Sequence, residues 1–103
     1  MEYRVTVTFG GLEGDEGAGE RTLEALHRTH PEVGPVVSQN RDTGVLSVTI
    51  ALDADGPAEV ADRVRSIFAD VARIAPLDPR EVVAVDVHAV DAEELLVTGP
   101  LLA

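Results

Sequence analysis

Four segments of this chain alternate apolar and polar residues with a period of two, and two longer segments repeat apolar residues at helical spacing. Period-two alternation is typical of strands with one buried face, and spacing of three and four is typical of amphipathic helices. The strand-like segments lie at 3–9, 33–40, 45–52 and 83–89, and the helix-like segments at 20–29 and 57–75. The predicted order is therefore strand, helix, strand, strand, helix, strand.

The first half of the chain predicts a strand, a loop and a helix. Tyr3, Val5, Val7 and Phe9 form the inward side of the first strand. Residues 10–19 contain five glycines and several acids, so we expect a flexible, acidic, glycine-rich loop. In the following helix the residues at helical spacing are Leu23, Leu26, His27 and His30, and Pro31 ends the helix.

The second half predicts a hairpin, a long helix and a last strand. Gly34 and Pro35 suit an edge strand or a strand that begins late. The tract 41–44 predicts the hairpin turn, and Asp55 is predicted to cap the second helix ahead of Pro57. The apolar stripe of that helix comprises Val60, Val64, Ile67, Phe68, Val71, Ile74 and Ala75, and the inward residues of the last strand are Val83, Val85, Val87 and Ala89.

This order predicts an α+β fold, the ferredoxin-like βαββαβ sandwich, in which two helices cover one face of a four-stranded antiparallel sheet of order 4-1-3-2. We expect residues 1–103 to form a single domain. The element order is similar to that of small regulatory ligand-binding domains of the ACT type. That resemblance implies a ligand near the first strand-helix loop and a dimer interface, and it assigns no role to any residue.

The outward face of the predicted sheet supplies the candidate site. It combines hydroxyl and small aliphatic side chains with few charges, which is unlike both a solvated face and a core. We expect Arg4, Asp86 and His88 to meet across the first and last strands as a titratable cluster. The interface or ligand candidates are Arg4, Thr6, Thr8, Ser47, Thr49, Asp86, His88, Leu101 and Leu102.

Charge and composition narrow the partners. Nineteen acidic residues stand against eight basic ones, all arginine, and the formal net charge is −11. Such a field repels phosphate backbones and anionic lipid, so we expect no nucleic-acid and no membrane partner. The chain has no cysteine, which excludes disulfides, thiolate metal sites and a cysteine nucleophile. No apolar stretch approaches the length of a membrane span, and the expected location is cytoplasmic.

No motif for a cofactor, a metal or catalysis is recognised. His27 and His30 have an H-x-x-H spacing, but His30 is better explained as a helix-end residue, where a histidine complements the helix dipole. The acids of the 10–19 loop do not have EF-hand spacing, and the loop is not a phosphate cradle. We therefore expect no cofactor and no metal.

Residues 91–103 form an apolar C-terminal tail, and its leucines need cover in the same molecule or in a neighbour. Together these features predict a noncatalytic, self-associating interaction or small-ligand-sensing module that forms a homodimer. Two alternatives stay open. One is a small enzyme with an inter-subunit site that uses His88, and the other is an acidic inhibitor of a basic protein partner.

Overall fold

The computed structural model describes residues 1–75, 77–90 and 94–97. None of the helices in these ranges has the length and apolar character that crossing a membrane requires. The elements, in chain order, are β1 (Glu2–Phe9), α1 (Ala18–Thr29), a 3₁₀ turn (Pro31–Val33), β2 (Val36–Asn40), β3 (Val45–Asp53), α2 (Pro57–Ala72), a second 3₁₀ turn (Pro79–Glu81), β4 (Val82–Ala89) and β5 (Glu94–Val97).

The strands form one antiparallel sheet of order β2-β3-β1-β4-β5. Read from β4 towards β2, the first four strands have the predicted order 4-1-3-2, which confirms the α+β sandwich. Tyr3 of β1 lies between Leu52 of β3 and Ala89 of β4. The strand β5 extends the sheet beyond β4 and lies inside the segment that the sequence presents as a tail. Leu101 and Leu102 lie outside the described residues.

One hydrophobic core lies between the sheet and the two helices. The inward residues of β1, β3 and β4 share this core with buried residues of both α1 and α2. The rings of Phe9 and Phe68 lie 5.6 Å apart and join the central strand to α2. Each large apolar side chain buried in this way contributes roughly 1.5–3 kcal/mol relative to exposure. Both helices therefore cover the same face of the sheet, as predicted.

The start of β4 differs from the predicted alternation. Val83 was expected to face the core, but it is 55% exposed, and its neighbour Val82 packs against the core instead. The cause is a register shift next to Phe9, whose partner is Val82, while Thr8 pairs with Ala84. An extra residue on one strand of a pair turns the following side chains to the opposite face. The alternation is as predicted from Val85 onwards.

The helices also differ from prediction in detail. In α1 the buried face includes Thr22 and Ala25 with Leu26, whereas His27 is exposed. In α2 the predicted stripe is buried up to Val71, but the helix ends at Ala72 and Ile74 is 48% exposed.

The predicted cap of α2 is also wrong. Gly56 occupies the N-cap position without a side-chain hydrogen bond. The backbone N–H of Asp55 instead donates to the Glu59 carboxylate at 2.8 Å.

The β2–β3 hairpin confirms the predicted turn. The Asn40 side-chain oxygen accepts hydrogen bonds from the backbone N–H groups of Asp42 and Thr43, at 3.0 and 3.2 Å. Gly44 then has a φ of +69°, a conformation that glycine adopts readily. As expected for a strand preceded by Gly34 and Pro35, β2 begins late and lies at an edge of the sheet.

Candidate interaction face

The side of the sheet opposite the helices carries the outward side chains of β2, β3, β1 and β4, and we call this surface the open face. No described helix or loop packs on it, because both helices bury their apolar sides in the core on the other side. The strand register aligns these side chains into rows across the sheet. The open face comprises Glu2, Arg4, Thr6, Thr8, Val36, Ser38, Asn40, Val45, Ser47, Thr49, Ala51, Asp53, Ala84, Asp86 and His88.

Hydroxyl side chains occupy the middle of the open face. Thr6 and Thr49 are directly opposite each other, and their hydroxyl oxygens lie 2.9 Å apart, in hydrogen-bond contact. In the next row Thr8 lies opposite Ser47. All four side chains are half-buried within the chain itself. The structure therefore places these four predicted residues side by side.

The charged residues of the open face lie towards one end of the central strands. Arg4 and His88 are directly opposite each other, and both are exposed. Asp86 is paired with Thr6 in the adjacent row and makes an interaction within the chain. Arg4 and Asp86 are therefore diagonal neighbours on β1 and β4. Such neighbours usually lie about 7–8 Å apart.

Arg4 differs from most other arginines of the chain. Arg21, Arg65, Arg73 and Arg80 each form an ion pair with an aspartate of the same chain. Neither the Arg4 side chain nor the His88 side chain forms a hydrogen bond or ion pair with another described residue. These two groups are thus available to an acceptor outside the described part of the chain.

Gln39 holds the first loop, a role that the sequence analysis missed. Its side-chain nitrogen donates to the carbonyl of Asp15 at 2.7 Å, and its oxygen accepts the N–H of Gly19 at 2.9 Å. The loop is also joined to the hairpin by the N–H of Leu12, which donates to the carbonyl of Gly44 at 3.1 Å. A polar side chain at an inward position of β2, two residues after the apolar Val37, is the signal that could have indicated this contact.

His30 connects the two helices. Its backbone N–H donates to the carbonyl of Leu26, which confirms its position at the end of α1. Its ring nitrogens lie 2.9 Å from an Asp70 oxygen on α2 and 3.3 Å from a Glu32 oxygen. The pKa of the Glu32 carboxyl lies below its ordinary value. The larger cause is a hydrogen bond from the Glu32 backbone to the carboxyl, and the hydrogen bond with the His30 side chain adds to it. Within the described residues no group of three side chains could hold a metal ion.

A small cavity of about 190 Å³ lies where β1 meets the first loop. Phe9, Leu12 and Leu77 form its apolar part, and Asp78 also lines it. Arg80 hydrogen-bonds to Asp78, which lowers the pKa of Asp78 and raises that of Arg80. The cavity is smaller than the roughly 300–1,000 Å³ of typical ligand pockets.

Comparison with models of protein families, with curated proteins and with solved structures gives no match. The geometry and charge of this chain are therefore the basis of the proposals below.

Proposed function

We propose that this protein is a noncatalytic module that associates with a second copy of itself through the open face. The observation that carries the proposal is a sheet face of short, half-buried side chains that no described element covers. Two such faces can stack about 10 Å apart, as the sheets of a sandwich do.

The chemistry of the central rows supports burial against another sheet. A polar group that loses water without gaining a partner costs free energy, but the hydroxyls of Thr6 and Thr49 already contact each other. Threonine, serine, valine and alanine also have few rotatable bonds, so that ordering them costs less entropy than ordering long side chains. The Thr6–Thr49 pair at the centre of the face can therefore lose its water with a small polar and entropic penalty.

The distribution of charge favours the same surface. Two copies that each carry a net charge of −11 repel one another wherever their acidic surfaces meet. In the central rows of the open face Asp86 is the one carboxylate and Arg4 provides an opposite charge, while Glu2 and Asp53 lie in the row at the end of β1 and β3. The central rows of this face therefore bring two acidic molecules together with few like charges in contact.

The size of the face predicts a weak to moderate dimer. Four strands at a spacing of about 4.8 Å, with about seven residues at 3.4 Å each, give a flat area of roughly 450 Å² per copy. Standard interfaces bury about 800 Å² of accessible surface per partner, so the open face is smaller than a standard interface. We expect a dissociation constant in the micromolar range.

Sedimentation equilibrium over a protein concentration series, up to about 1 mM, tests the proposal. The mass should rise from 10.9 kDa towards twice that value. Thr6→Arg places a long cation in the middle of the open face and should leave the protein monomeric. Its control, Ser66→Arg, adds the same charge at an exposed position of α2 and should dimerise like wild type.

Circular dichroism and thermal melting establish that both variants are folded. Ser47→Arg, which modifies the same face from β3, serves as a second variant if Thr6→Arg does not fold. A wild-type protein that stays at 10.9 kDa throughout would exclude self-association. Equal association of Thr6→Arg and Ser66→Arg would show that the dimer uses another surface.

A further inference from the structure

We infer that Arg4 and His88 of each copy bind Asp86 of the other copy, and that this reciprocal contact sets the orientation of the two sheets. The inference rests on the proposed self-association through the open face. It adds the residues that recognise the second copy and the symmetry of the pair.

The strand register defines two adjacent rows with complementary chemistry. One row contains Arg4 and His88, and the next contains Thr6 and Asp86, two residues further along β1 and two residues earlier on β4. Consider a two-fold axis that lies between the stacked sheets and runs across the strands, midway between these two rows. Rotation about this axis exchanges the positions of the two rows. It brings the Arg4–His88 row of each copy over the Thr6–Asp86 row of the other.

This superposition satisfies the requirement of a two-fold interface, in which the same patch must be complementary to itself. Arg4 is a permanent cation with five N–H donors, and the His88 ring has at least one N–H donor. A carboxylate has about four acceptor positions, so Asp86 can accept from the second copy in addition to the interaction within its own chain. Each two-fold pair would contain this contact twice.

The alternative orientation, with the axis along the strands between β1 and β4, is disfavoured by the same residues. It would place Arg4 over His88 of the second copy and Asp86 over Thr6, so that Arg4 and Asp86 of the second copy lie in different rows. A neutral His88 ring has one acceptor nitrogen and could accept a hydrogen bond from Arg4, but it offers no negative charge to the guanidinium. The charges therefore select one of the two ways in which the faces can stack.

A charge-exchange experiment tests the pairing. Arg4→Asp places two carboxylates against each other in its homodimer, and Asp86→Arg does the same with two cations. Each variant alone should dimerise at least about tenfold more weakly than wild type. An equimolar mixture restores an opposite charge at both contacts and should form a heterodimer within about threefold of wild-type affinity, as should the double variant R4D/D86R. Native mass spectrometry separates the heterodimer from both homodimers by mass.

The outcomes distinguish this inference from the proposed function. If wild type dimerises, Thr6→Arg does not, and the mixture forms no heterodimer, then the open face is the interface but the Arg4–Asp86 pairing is wrong. If wild type is monomeric, the proposed function itself fails. If Arg4→Asp and Asp86→Arg each dimerise like wild type, these charges have no part in recognition. The double variant carries both changes in one chain and also shows whether the substitutions permit folding.

Discussion

Replacing Thr22 by Val should stabilise the protein. The Thr22 hydroxyl is fully buried in α1 and has no hydrogen-bond partner among the residues that the structure describes. An unsatisfied buried polar group costs about 1–3 kcal/mol, whereas valine offers nearly the same shape without the hydroxyl. Valine and threonine have similar helix propensities, so the change isolates the polar group. We expect the free energy of unfolding to rise by about 1 kcal/mol, and the melting temperature by about 4–8 °C.

Urea unfolding at a fixed protein concentration measures this effect, with a higher midpoint and an unchanged slope as the expected result. Thr29→Val is the matched control in the same helix, because the Thr29 hydroxyl donates to the carbonyl of Ala25 at 2.8 Å. Loss of that bond should leave the control equal to wild type or up to about 1 kcal/mol less stable. A Thr22→Val protein that is less stable than wild type would show that its hydroxyl has a favourable partner, and the reasoning would fail.

Three further predictions concern the loops. Gln39→Leu should lower the free energy of unfolding by about 1–3 kcal/mol in urea titrations, because it leaves two buried or half-buried backbone groups without their partner, whereas Gln39→Glu, which keeps the acceptor, should lose less. Gly44→Ala should lower the free energy of unfolding more than Gly34→Ala does, although both glycines have positive φ. A Cβ at Gly44 would lie 2.5 Å from a backbone nitrogen of the first loop, whereas one at Gly34 meets nothing within 4 Å. Equal losses of stability would contradict the close approach at Gly44. In an NMR titration the Asp78 carboxyl should protonate below its ordinary pKa of 3.8, since Arg80 hydrogen-bonds to the carboxylate. The stabilising contribution of this contact is present above pH 3.8 and disappears as the pH falls through the lowered pKa. Arg80→Ala should return the pKa of Asp78 towards its ordinary value.

The buried side of a strand was predicted correctly where the alternation of apolar and polar residues fits only one phase. In β1 and β3 every second residue is apolar and large, and the structure buries those residues. The run Val82–Val83 is different, because two adjacent valines fit either phase of the alternation. The bulge opposite Phe9 decides between them, and its position depends on the pairing with β1. The short β5 contains too few residues for a period to be visible.

The helices show how small residues hide a buried face. Apolar spacing in α1 predicted Leu23, Leu26, His27 and His30 on one side, and Leu26 is buried. The structure also buries Thr22 and Gly19, and at Gly19 the helix approaches β2 closely. At the end of α2 the periodicity continues to Ile74, but the helix has already ended. The spacing of large apolar residues is therefore a good predictor of where a helix forms and a poorer predictor of which side of the helix is buried.

The open face was largely predictable, whereas the contacts of the loops were not. Once the strand order is known, alternation and register place Thr6 opposite Thr49 and Arg4 opposite His88. The contact of His30 with Asp70 joins residues 40 positions apart, and no local pattern indicates it. Such contacts depend on how the ends of separate elements approach each other in the folded chain.

The remote hydrogen bond to Gly19 implies that α1 is not an autonomous folding unit. Gly17 precedes the helix without any side-chain cap, and the acceptor comes from Gln39, twenty residues later in the chain. A twelve-residue helix is marginal in water even with good propensity. A synthetic peptide of residues 17–29 should therefore be mostly coil, and in the intact protein α1 should become ordered together with the hairpin that supplies its acceptor. The hydrogen bonds of Gln39 thus couple the folding of α1 to the folding of the β2–β3 hairpin.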